Sequence, residues 1–351
     1  MLTKEIEMLR RRTMPTWGYR YLSIITAFAG VLCLATGGRA ALAAPPSVLL
    51  FADRDLGDAI ASGLATRGMP APTLSDAAAD QACAPTPAGT PRFALVSHVP
   101  SRTTVEACGR SAAADVSALE IGHQAVVLVA PAGASVWSLR IATLYRAVGE
   151  HGGGNRRPQS WSDVDPALPH LPIGLLAPPA GSRAETMLRE LVMVAGCAAV
   201  DPRLPFDQAE RAAYCGKLRQ DATTVRHTGS IEELETWAAS AQPGQLAVVT
   251  LAELRQLSER VVPLPINGAL PTTENLDAAR YPAAASVSLL MVVPHAAAHA
   301  SRDAARTVAF DLLAESVIGP EGTLAPAGLA PLAPADRVAA RAKAATALEQ
   351  P

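Results

Sequence analysis

A chain of 351 residues with net charge −2 and 49% hydrophobic residues has globular composition, long enough for two lobes of about 100–150 residues each. The near-neutral charge supplies no basic face of the kind that holds nucleic acid, so no nucleic-acid partner is expected. With 4% aromatic residues, stacking platforms for single strands or sugars are scarce.

At the N-terminus, Lys4, Arg10, Arg11, Arg12 and Arg20 precede a short apolar run over 21–34. Ala41-Leu42-Ala43 then offers an A-x-A site ahead of Pro45 and Pro46. This pattern predicts a secretory signal over residues 1–43, cleaved after export; an uncleaved anchor is the rival reading. Cys33 follows Leu32, where a lipoprotein signal needs a small residue, so lipidation is not expected. Cys83, Cys108, Cys197 and Cys215 remain. An even count in an exported chain suggests disulfides, with three pairings open, and buried free thiols are the alternative. No C-x-x-C is present for a redox or zinc motif.

Beyond the signal, residues 47–52 (SVLLFA) read as a buried strand and 56–67 as an amphipathic helix. Residues 92–97 and 121–130 (IGHQAVVLVA) read as strands, and 138–148 has helical spacing. The stretch 149–160 (GEHGGGNRRPQS) is Gly-rich and basic, but it lacks G-x-x-x-x-G-K-[ST] and reads as a mobile surface loop. A strand over 173–176 and a helix over 183–195 follow. Strands over 245–250, 261–264 and 286–293 and a helix over 302–314 complete the pattern. The tail after Pro334 is an Ala/Arg helix or a disordered end. Alternation of strand and helix predicts an α/β fold with parallel layers.

His295 and His299 stand at i, i+4, a spacing open to metal ligation, yet no Glu accompanies them as in H-E-x-x-H. No G-x-S-x-G elbow or Ser/His/Asp set appears, so neither an enzyme nor a cofactor is expected.

Four phrases in order resemble the phosphate-type periplasmic substrate-binding proteins of ABC transporters. They are Trp161-Ser162-Asp163-Val164-Asp165-Pro166-Ala167-Leu168-Pro169 with Leu171-Pro172-Ile173, and VVPLPINGALPT over 261–272 with Tyr281-Pro282. Gly319-Pro320-Glu321-Gly322 and Gly328-Leu329-Ala330-Pro331-Leu332 complete the set, and the likeness spans residues 47–332. It implies a two-lobed periplasmic-binding-protein fold of type II with the ligand cleft between the lobes. Residues 44–132 and 262–335 would form one lobe, 133–261 the other, and 336–351 a tail. It also implies the local pairings Cys83–Cys108 and Cys197–Cys215.

That family holds a tetrahedral oxyanion with amides at helix N-termini, hydroxyls and an Arg. Here the first loop is Asp53-Arg54-Asp55 and the second is Ser75-Asp76-Ala77-Ala78-Ala79-Asp80, with carboxylates and alanines where hydroxyls and glycines are expected. Ser101-Arg102 resembles the third loop. Ala180-Gly181-Ser182-Arg183-Ala184-Glu185 resembles the fourth, with Arg183 as a displaced cation. The ligand set implied is Ser101, Arg102, Gly181, Ser182 and Arg183. Two functions follow: capture of phosphate or a similar small oxyanion for an ABC permease in the inner membrane, or a structural or regulatory periplasmic partner that binds no phosphate.

Overall fold

Among the described residues, ten strands carry the fold: β1 (Leu49–Ala52), β2 (Thr73–Leu74), β3 (Arg92–Val96), β4 (Ala114–Pro131) and β5 (Gly174–Ala177), then β6 (Thr224–Arg226), β7 (Gln245–Thr250), β8 (Val261–Pro263), β9 (Ala284–Pro294) and β10 (Ala330–Pro331). The computed structural model describes residues 48–86, 89–154, 156–204, 207–221 and 223–349. The expected signal over 1–43 lies outside the described residues.

The strands run in the order β2-β1-β3-β9-β4-β7-β5-β6, with β8 and β10 added against β4. Pairs β1–β2, β1–β3, β5–β6 and β5–β7 are parallel, as expected where helices return the chain; the pairs of β4 and β9 are antiparallel. β4 runs 18 residues, longer than the apolar stretch predicted it. Its first half alternates less cleanly because only part of it is buried, whereas from Ile121 to Ala130 it is buried without a break.

β4 is shared by two cores. The first packs the helices Arg54–Ala65 and His299–Leu312 against β1, β3 and β9 through Leu56, Ile60, Leu64, Ala305 and Ala309. The opposite face of the same strands is covered by the helices Ala78–Cys83 and Arg102–Ala112. The second core begins at Ala125 on β4, takes in β5, β7 and β8, and reaches Tyr281 and Ala283 on the return. The crossings set at 132–133 and 261–262 from sequence lie inside the span of this second core. The tail is the helix Pro334–Glu349, held to the first core by Ala344 and by Arg337, which pairs with Glu315.

The phrases that carry the family likeness are scaffold. Trp161 is fully buried, donates its indole N–H to the Gly244 carbonyl at 2.8 Å and meets Trp137 edge-on at 5.0 Å. Asp163 closes a capping box with Ser160. Asn267, in the left-handed region at φ 50°, accepts from the Ile141 amide that opens the helix Ile141–Val148. Tyr281 donates to the Val126 carbonyl at 3.0 Å, and burial drives its hydroxyl pKa far above the ordinary tyrosine value. At Gly122 a Cβ would meet the Ala330 carbonyl at 2.5 Å, so the approach of β10 to β4 requires glycine there.

Cys83–Cys108 ties the helices Ala78–Cys83 and Arg102–Ala112 with Cα atoms 4.9 Å apart, and Cys197–Cys215 ties Ala195–Val200 to Gln208–Cys215 at 5.6 Å. The implied local pairings are therefore those of the structure. The Gly-rich stretch, expected to be a mobile surface loop, makes several contacts at its described residues. Glu150 receives Arg157 at 2.7 Å and donates its amide to Lys217, and His151 stacks on Tyr214. Glu150, His151 and Arg157 find partners that spacing alone does not reveal.

Candidate functional site

The parallel pairing of β1 with β3 sets their C-terminal loops side by side. Asp53, at the end of β1, accepts from the Ser97 amide at 2.8 Å and from the Ser97 hydroxyl at 2.9 Å. Ser75 is likewise occupied, accepting from the Ala77 amide and the Gln81 side chain. Arg54 pairs with Asp76 at 3.3 Å on the surface. Two further predicted residues open the helix Arg102–Ala112. Ser101 is its N-cap, accepting from the Thr104 amide, and Arg102, 92% exposed, pairs with Glu106 four residues on at 2.8 Å.

On the second core, β5 leads through Gly181 and Ser182 into a continuous helix over 183–200 whose middle, Leu188–Val194, widens to π geometry. Gly181 sits at φ 76°, a left-handed turn that glycine takes without strain. Its amide donates to the Glu185 carboxylate at 2.6 Å, and Ser182 caps the Glu185 amide at 3.1 Å. Glu185 also pairs with Arg226 at 2.5 Å. The carboxylate thus fills the place that an external anion would take at a helix start.

Arg183, the next residue, reaches toward the first core. It is half-buried, donates to the Ser97 carbonyl of the first core at 3.3 Å, and lines a cavity on each side. One cavity, about 440 Å³, includes Ser97, His98, Glu190 and Ser286. The other, about 580 Å³, lies where β4 crosses between the cores and includes Gln124, Met187, Leu251, Thr323 and Pro326. Ser101, Arg102, Gly181 and Ser182 line neither of these two cavities. The structure therefore keeps Gly181, Ser182 and Arg183 together and leaves Ser101 and Arg102 on a separate helix start.

Gln124 and Thr323 line the larger cavity, but the Gln124 side-chain oxygen and the Thr323 hydroxyl are closed off from its space and have no hydrogen-bond partner in the protein. The other hydroxyls there are spoken for: Thr250 caps the helix Leu251–Gln256, and Thr66 donates to the Gly63 carbonyl. Sequence reasoning missed Gln124 and Thr323. The available signal was a polar pair, His123-Gln124, inside an apolar strand. His123 is a core residue, held at 3.0 Å by Asp277, while Gln124 has no such anchor. His295 meets Asp115 at 3.3 Å rather than pairing with His299, and no metal-competent cluster occurs among the described residues.

Residues 58–310 match the family model of the PBP superfamily domain, and the chain belongs to that superfamily. Solved structures show the same fold. A possible phosphate binding protein from Planctomyces limnophilus superposes with TM-score 0.57 at 12% identity, covering 87% of this chain and all of that one (100%). An ABC-type phosphate transport receptor from Vibrio cholerae gives 0.52 at 14%, with coverage of 82% and 100%. PstS from Borrelia burgdorferi gives 0.51 at 12%, with 82% and 99%. No curated protein matches the chain by sequence. The chain thus has the mixed α/β architecture of periplasmic phosphate-binding proteins, and its two disulfides fit an oxidising compartment.

Proposed function

We propose that this is a periplasmic solute-binding protein that captures phosphate or a similar small oxyanion beside Arg183 and delivers it to an ABC permease in the inner membrane. The observation that carries this reading is Arg183 itself, a half-buried cation that reaches from the second core to the Ser97 carbonyl of the first and borders a cavity on either side. A guanidinium at the seam of two lobes attracts an anion and couples its capture to lobe closure. Asp53 and Glu185 already take the loop donors, so the anion is assigned to the flanks of Arg183. Gly181 and Ser182 join the ligand only if Glu185 swings away, and Ser101 and Arg102 only if their helix start turns toward the cleft.

Calorimetric titration of phosphate, with sulfate for comparison, tests the reading. Binding in the micromolar range that Arg183→Met abolishes supports it. A folded, oxidised protein that gives neither heat nor thermal shift with any small anion overturns it, and leaves the structural-partner reading in its place.

A further inference from the structure

We infer that the second core carries a separate site, at its Gly-rich turn, for a small polyanion with two or more oxyanion groups, carboxylate or phosphate. The cavity there holds about 690 Å³ and shares no residue with either cavity beside Arg183. A volume of that order suits a small organic molecule, and a lone tetrahedral anion fills little of it.

The charge of this cavity follows from the ion pairs around it. Arg146, Arg156 and Arg157 line it against one carboxylate, Asp163. Arg157 is answered by Glu150 at 2.7 Å. Asp221 meets the buried Arg219 at 2.7 Å, closer than it meets Arg157 at 3.5 Å, and Asp165 meets Arg140 at 2.8 Å. Arg146 is drawn to Asp165 but must share it, and Arg156 has no carboxylate at ion-pair distance among the described residues. Asp163 turns one oxygen to the Ser160 and Gln159 amides, which hold its carboxyl below the usual range. Two guanidiniums thus remain over against one carboxylate, and the cavity is positive. Each offers a planar fork that donates two bonds to one carboxylate or phosphate, so two in one cavity favour a solute with two such groups.

The turn fixes where these cations stand. A Cβ on Gly152 would collide with the Tyr145 carbonyl oxygen, and one on Gly153 would meet the Arg156 carbonyl oxygen at 2.8 Å. The glycines therefore seat the turn against the helix Ile141–Val148, and Arg146 of that helix borders the same space as Arg156 of the turn. The stack of His151 on Tyr214 and the bond from the Glu150 amide to Lys217 hold its start. A frame ordered in advance spends less of the binding energy on ordering itself. Only Val164 and Pro158 bring apolar side chains, so the solute is held by charge and added salt weakens it.

Calorimetric titration of intact oxidised protein tests this, run in an Arg183→Met background that removes the cation of the solute site and so reads the turn alone. The probes are citrate, succinate and pyrophosphate, with acetate and phosphate as single-group comparisons. At least one polyanion should bind about tenfold tighter or more than both comparisons. Pyrophosphate alone then assigns the phosphate source, and citrate or succinate alone the carboxylate source. Adding Arg156→Gln or Arg146→Gln should weaken the polyanion by about tenfold or more. Both side chains are exposed, so the variants should melt close to the parent. Polyanion binding by wild type that vanishes in Arg183→Met overturns this inference, because the anion then sits at the seam, as the solute-binding reading has it. Silence of every polyanion at millimolar concentration in a protein that melts cooperatively overturns it as well, and leaves the solute-binding reading to its own phosphate titration. Binding that Arg156→Gln and Arg146→Gln leave unchanged overturns the assignment to this cavity, and acetate or phosphate as tight as the polyanions overturns the need for two groups.

Discussion

Arg183 divides two regions that treat polar groups in opposite ways. On the loop side, the Ser97 amide and hydroxyl are met by Asp53, and the Gly181 amide and Arg226 are met by Glu185. On the crossing side, Gln124 and Thr323 keep buried oxygens without a protein partner. The first region behaves like a binding site already filled by the chain's own carboxylates; in the second, two oxygens are closed off from protein donors and from the cavity alike. A loop with the right position in the fold is therefore insufficient evidence of a ligand site. What matters is whether its donors are still unspent.

The most severe way to break the self-satisfied class is at its most buried member. The Arg219 side chain is 1% exposed, donates to the Ala147 and Pro158 carbonyls, and pairs with Asp221 at 2.7 Å. Asp221→Asn strands that charge and is expected to cost about 3 kcal/mol in urea unfolding. A loss below about 1 kcal/mol would show that water reaches the pair freely.

Acid attacks the same pair more gently. Burial opposes ionisation of Asp221, but hydrogen bonds from Thr223 and Arg219 outweigh it and hold the carboxyl at about 2. The folded value lies below the unfolded one. Its stabilisation, about 2 kcal/mol, is therefore present above pH 4–5 and lost as the pH falls toward 2. Unfolding curves of wild type and Asp221→Asn should converge over that window; parallel curves would contradict the assignment.

Next in size is Glu185→Ala, which opens the loop side. It should cost roughly 1–2 kcal/mol through the lost Gly181 and Arg226 contacts. It should also create protection by phosphate or sulfate that exceeds any seen in wild type. A variant that loses stability without gaining anion protection would mean that the vacated loop cannot hold an anion.

The smallest effect sharpens the other half of the comparison. Ser288 is 0% exposed, and its hydroxyl lacks a partner, yet it borders neither cavity beside Arg183. Ser288→Ala should stabilise by up to about 1 kcal/mol, with solute binding untouched. A change in solute affinity would show that unmet oxygens outside the cavity also report on it.

Much of the fold was legible because its signals are local. The runs at 92–97 and 245–250 became β3 and β7, and the Trp161 phrase marked a real capping box and a real core anchor. The start of β4 was missed because Ala114 to Glu120 is only partly buried and mixes polar with apolar residues. The loops were found by position, but sequence alone does not show that Glu185 turns back onto Gly181 or that Asp53 spans to Ser97 across 44 residues. Gln124 escaped notice because an unmet oxygen is a property of the packed neighbourhood and has no spacing of its own.

The place of β9 bears on how the chain assembles as it is made. β9 lies between β3 and β4, and β3 is buried along its whole length. Until residues 284–294 arrive, both partners present unfilled edges to whatever is near, and β3 waits almost 200 residues for its neighbour. Closure of the first core is thus a late event joining distant parts of the sequence, and an unfinished chain is sticky for most of its synthesis. Such a protein profits from being kept extended until its last third is available.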